Sequence, residues 1–125
     1  MGDEGGEVVV VFDHEKLDVY RVAREFLELT QRFAQSRWPR ELRDQFDRAT
    51  VSILANIGEG AGKMARADKR RFYEIARGST TETATLLDIL QIRGFVTRQQ
   101  HADARTLLIR VTQMLSRLSD GPRLV

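Results

Sequence analysis

Apolar residues recur along most of this chain at intervals of three and four, the period of an α-helix with one buried side. One series is Leu42, Phe46, Ala49, Ile53 and Ile57. A second is Phe72, Ile75, Ala76, Ser79, Thr83, Leu86 and Leu90, and a third is Leu107, Val111, Met114 and Leu118. With a first segment at about 14–36, they predict four helices. The first stops before Trp38-Pro39, because proline disfavours helix in the residue ahead of it. The second starts with Pro39 in its first turn and runs to the glycines at 58–62. The third spans about Asp68 to Arg93 and halts at Gly94, a natural residue for the position after a helix. The fourth opens on Thr97-Arg98-Gln99-Gln100, a capping-box pattern, and continues to about Leu118, before Gly121-Pro122.

Four helices with short connections predict an all-α fold: an antiparallel up-down four-helix bundle over residues 13–119. Residues 1–12 and 120–125 read as tails. Val8 to Val11 and Phe12 form a valine-rich run; with no partner strand in this chain, it reads as a mobile extension.

The first helix carries two apolar rows. Tyr20, Ala23, Leu27, Thr30 and Ala34 make one; Val19, Val22, Phe26, Leu29 and Phe33 make the other. Together they cover roughly 180° of the helix, against the roughly 100° stripe of an ordinary surface helix. One row can face the bundle. The row from Val19 to Phe33 is therefore expected to meet another chain, making the protein a homo-oligomer.

Composition narrows the classes. A chain of 125 residues forms one domain with a real core. The absence of cysteine removes disulfides, thiolate metal sites and cysteine nucleophiles. The longest apolar run, five residues from Val8 to Phe12, is far too short for a membrane span or a secretion signal. A soluble cytoplasmic protein with no membrane partner is expected. The net charge of +2 is uneven: residues 1–30 carry −5 and residues 93–125 carry +4. Such a bias fits a polyanionic partner, and it equally fits acidic and basic surfaces of neighbouring subunits meeting.

The stretch NIGEGAGKMARADKRRF, residues 56–72, raises the question of a phosphate-cradling loop. A P-loop ending in Gly62-Lys63 would need glycine at position 57 and a hydroxyl residue at 64; the chain has Ile57 and Met64. A dinucleotide fingerprint begun at Gly58 would place its third glycine on Lys63. Both motifs follow a strand, whereas this stretch follows a helical pattern. The glycines read as a helix end that permits close packing. Gly78, in mid-helix at a cost of about 1 kcal/mol relative to alanine, points with Ser79 to close approach by another helix.

Glu59 and Glu82 flank the apolar faces of the second and third helices. Acid–base catalysis by this pair is imaginable. The stronger reading is a polar network of Arg48, Ser52, Asn56, Glu59, Ser79 and Glu82 that fixes bundle register or a subunit contact, since polar groups at such a boundary must be paired. Neither His14 nor His101 follows a glutamate by three residues, so a di-iron carboxylate site is excluded. No metal or other cofactor is expected.

Lys63, Arg66, Lys69, Arg70, Arg71 and Arg77 form a basic cluster. Arg70 and Arg77 share one face of the third helix, joined by Arg66 if the helix extends that far. The cluster is either a solvated helix face or a set of sequence-blind phosphate contacts. With Phe72 in the apolar series of the third helix, Tyr73 is the one nearby aromatic left for base stacking, which is poor provision.

Three stretches together, KLDVYRVAREF at 16–26, DRATVSILANIGEG at 47–60 and FYEIARGSTTE at 72–82, resemble the four-helix-bundle family of proteins encoded in intervening sequences of bacterial 23S ribosomal RNA genes. The family includes the accessory variability determinant of diversity-generating retroelements. Leu17, Val19 and Tyr20 match its pattern in the first helix. Arg48, Ala49, Ser52, Ile53, Asn56, Ile57, Glu59 and Gly60 match in the second, and Ala76, Gly78, Ser79 and Glu82 in the third. Gly58 stands where the family more usually has alanine. The resemblance implies a homopentamer with a central channel, no known catalysis, and in the retroelement members contacts with nucleic acid and a reverse transcriptase.

The expectation is therefore a non-enzymatic oligomeric scaffold whose basic surface contacts RNA or DNA. The alternative is an accessory protein-interaction subunit, such as a reverse-transcriptase partner, with no direct nucleic-acid role.

Overall fold

A computed structural model describes residues 11–120. Four helices fill it: α1 (Asp18–Gln31), α2 (Arg40–Ala61), α3 (Arg66–Ile92) and α4 (Arg98–Asp120), with 3-10 turns at Asp13–Lys16 and Gln35–Arg37. No strand occurs among the described residues. Residues 1–10 and 121–125, which hold most of the two expected tails, lie outside the described residues.

The helix ends follow local chemistry. Trp38, extended at φ −75° and ψ 148° ahead of Pro39, ends the 3-10 turn and lets α2 begin at Arg40. After α3, Gly94 adopts φ +82°, and the Phe95 amide then reaches back to the Leu90 carbonyl at 2.8 Å. At the start of α4, the Thr97 hydroxyl accepts from the Gln100 amide at 3.0 Å. The Gln100 side chain accepts from the Thr97 amide at the same distance, so the capping box is complete.

The helices bury one continuous core. Phe26 of α1 packs on Phe46 of α2, ring centroids 6.3 Å apart, and Trp38 meets Phe46 edge-on at 5.1 Å. Ile53, Ile57, Leu87, Leu90, Val111 and Leu115 complete the centre. The buried threonines of α2 and α3 satisfy their hydroxyls within their own helices: Thr50 donates to the Phe46 carbonyl, Thr80 to Ala76 and Thr83 to Ser79, at 2.8–2.9 Å.

Helix α1 departs from expectation. Val19, Val22, Phe26 and Phe33 are at most 6 % exposed within the single chain, and Leu29 packs half-buried against the same core. They are core residues and no free row for a neighbouring subunit. The physical reason is that α1 sits between α2 and α4, with the Trp38–Phe46 pair at its end. It therefore buries a wide arc that also takes in Ala23 and Thr30 from the other row. A broad apolar face marks a helix enclosed on two sides as readily as one shared between chains. Ile75, expected in the core, is 42 % exposed.

Candidate nucleic-acid interface

The basic cluster surrounds the turn between α2 and α3. Helix α2 continues through Gly58 and Gly60 to Ala61, so the glycine-rich stretch is helix almost to its end. Gly60 is where the close packing occurs: a β-carbon there would come within 3.1 Å of Phe72 Cβ and closer still to the Tyr73 ring. By contrast, a β-carbon at Gly58 would come no nearer than 4.0 Å to His14 Cγ.

The six cations divide by their surroundings. Lys69 turns inward: its ammonium donates to the Ala61 carbonyl at 2.9 Å, an acceptor that the end of α2 leaves open, and to the Gly60 carbonyl at 3.3 Å, which the Lys63 amide also bonds. Lys63 pairs with Glu59 at 3.4 Å and lies 5.3 Å from the Phe72 ring centre. The Arg71 guanidinium stacks above the same ring at 4.5 Å. Arg70 pairs with Glu74 at 3.2 Å, and Arg77 donates to the Ser116 hydroxyl of α4 at 3.2 Å. Arg66 is exposed and has no ion pair or hydrogen bond among the described residues.

Arg66, Arg70 and Arg77 recur at steps of four and seven, which align them on one side of α3. The Arg77–Ser116 bond shows that this side borders α4. Residues 59–77 contain six bases and three acids, a local charge of +3. Exposed pairs such as Arg70–Glu74 contribute little in water, so a phosphate can compete for their cations. Lys69 is the cluster member the structure assigns to the fold.

The polar residues of α2 and α3 are brought together only in part. The Ser52 and Ser79 hydroxyls are 2.7 Å apart across the two helices, and the Asn56 amide donates to the Ser52 carbonyl at 2.8 Å and hydroxyl at 3.0 Å. Arg48 and Glu82 stand exposed without an ion pair among the described residues, and Glu59 is taken up by Lys63. Glu59 lies level with Phe72, ten residues and thus about 15 Å along the axis from Glu82, so these carboxylates do not converge on one substrate atom.

Sequence reasoning passed over several residues. His101 bonds Asp88 at 2.7 Å, tying the start of α4 to the end of α3. Met64, 96 % exposed, projects from the basic turn, and Val51 is 60 % exposed on α2. Val51 falls outside the apolar series of α2, and that is the signal that could have marked it. No group of three or more potential metal ligands occurs among the described residues. None of the described helices is long and apolar enough to cross a membrane.

An all-helical bundle with an arginine-lined helix side defines a class of small packed-helix proteins. The chain belongs to the 23S rRNA-intervening sequence protein family, whose model matches residues 15–117. Its fold is similar to that of a solved protein of unknown function, from the S23 ribosomal protein family of Bacteroides thetaiotaomicron VPI-5482. The TM-score is 0.74 at 22 % identity, covering 82 % of this chain and 96 % of that one. Comparison with curated proteins finds no match.

Proposed function

We propose that this chain is a non-enzymatic subunit of a helical scaffold, assembled from copies of an antiparallel up-down bundle, that holds the phosphate backbone of RNA or DNA. The observation that supports this reading is the line of Arg66, Arg70 and Arg77 on one side of α3, within a segment of net charge +3. Guanidinium groups along one side of a helix can hold phosphates without reading bases. The separation of Glu59 from Glu82 supports the absence of paired acid–base chemistry.

The test is a salt series with single- and double-stranded RNA and DNA. Affinity should fall steeply as salt rises, with a log–log slope of about −2 to −3 for three phosphate contacts. Replacing Arg70 and Arg77 together by glutamate should weaken binding to all sequences alike. Unchanged binding by that variant would place the contact elsewhere.

Met64, standing 96 % exposed within the basic turn, favours a second reading, an accessory subunit that docks a protein. Failure of the native chain to bind any nucleic acid at low salt would select it.

A further inference from the structure

Helices α3 and α4 run side by side, and the arginine line of α3 leads into the groove between them. Two contacts mark the ends of that groove. Arg77 donates to the Ser116 hydroxyl at one end, and His101 bonds Asp88 at 2.7 Å at the other. Residue numbers thus rise along α3 as they fall along α4. On α3, steps of three and four from Arg77 through Thr81 and Ala84 to Asp88 keep one side against α4. On α4 the matching side runs from His101 through Arg105, Ile109 and Thr112 to Ser116.

Midway along, Ala84, the buried Leu108 and Ile109, which is 39 % exposed, line a depression of about 230 Å³. Thr112 and Gln113 border it, and neither side chain has a hydrogen bond among the described residues. Arg105 also lines it, exposed and without an ion pair or hydrogen bond among those residues. No acid lines it. The acids on this side of α3, Glu74 and Asp88, are taken up by Arg70 and His101.

The volume equals that of about eight water molecules at ~30 Å³ each, enough for one flat base and too little for a base pair. Arg77 and Arg105 stand on either side: Ser116, the partner of Arg77, is eleven residues and about 16 Å along α4 from Arg105. Cations at both ends of an aliphatic slot suit a nucleotide whose base is unstacked. The flanking phosphates meet guanidinium groups, and the face of the base leaves water against apolar side chains. A duplex can offer phosphates to the same arginines, but its bases stay stacked inside.

We propose that the α3–α4 groove seats one unpaired base of single-stranded RNA or DNA in the slot of Ala84, Leu108 and Ile109, between Arg77 and Arg105. This role rests on the phosphate-holding reading above and narrows its substrate to strands with unpaired nucleotides. Aliphatic side chains here take the place that aromatic ones hold in many single-strand sites, and contact through the face of a base tolerates any sequence.

Fluorescence anisotropy with matched probes tests the slot. The native chain should bind oligouridine and oligothymidine about tenfold more tightly than an abasic strand of equal length and charge, or a duplex of equal length. Ile109→Asn, at a partly exposed position, should keep the helical circular dichroism. It should weaken the homopolymers severalfold and leave the abasic strand unchanged. Arg105→Ala should make the salt slope for single strands shallower by about 0.7. Abasic or duplex probes that bind as tightly as the homopolymers would overturn the slot and leave phosphate contact standing. Homopolymer binding that ignores Ile109→Asn would do the same. A native chain that binds none of these probes at low salt would overturn both.

Discussion

Gly60 of α2 and Tyr73 of α3 fit against each other only because one of them lacks a side chain: a β-carbon on Gly60 would lie 2.8 Å from Tyr73 Cε1 and 3.0 Å from Cδ1. Tyr73 is itself only 4 % exposed, so the ring has little room to withdraw. Gly60→Ala should therefore destabilise the fold by about 1–3 kcal/mol through overpacking, read as a lower denaturant midpoint at unchanged slope.

Gly78→Ala should act in the opposite direction. The site is exposed helix interior with open space around it, so alanine gains about 0.5–1 kcal/mol of helix preference. Chemical denaturation at concentrations low enough to exclude association is the measurement. A loss of stability there would show that the glycine serves the single chain after all.

Tyr73 gives the chain an alkaline sensitivity. Burial raises its phenol pKa above the ordinary value of 10.0, and the nearby Asp13 charge raises it further. The folded state thus favours the neutral phenol. Its contribution is fully present below pH 10 and is lost as pH rises from the unfolded value through the raised folded one. Stability measured from pH 9 upward should decline, and Tyr73→Phe should make that decline shallower.

Two cations only three residues apart should behave differently. Lys69→Met removes the donor to the Gly60 and Ala61 carbonyls and should cost about 1 kcal/mol. Arg66→Ala removes a side chain with no partner among the described residues and should leave stability within about 0.5 kcal/mol. Its effect should be confined to nucleic-acid affinity. Equal losses of stability would undo the division of the cluster.

Phe26→Ala should cost about 3–5 kcal/mol, since the side chain is 1 % exposed and packs on Phe46. Phe26→Glu should unfold the chain, because it buries an unpaired charge. A folded monomer with that substitution would return α1 to the role of a subunit contact.

The sequence alone determined the four helices and most of their ends, because those depend on local chemistry. Pro39 sets the start of α2, Gly94 the end of α3, and Thr97 with Gln100 the start of α4. The period of apolar residues likewise marked Phe46, Ile53, Ile57, Leu86 and Val111 as core. What it left undecided is how each face is used. Periodicity reports how wide an apolar arc is and does not report what covers it. Packing α1 between α2 and α4 put Val19, Val22, Phe26 and Phe33 inside the chain. Packing also left Val51, Ile75 and Gly78 outside. The basic cluster was visible as composition, yet the turn of Lys69 onto the end of α2, and the exposure of Arg66 beside it, follow from where α3 crosses the last residues of α2. Those are distances between different helices, and they come into being only when the helices pack.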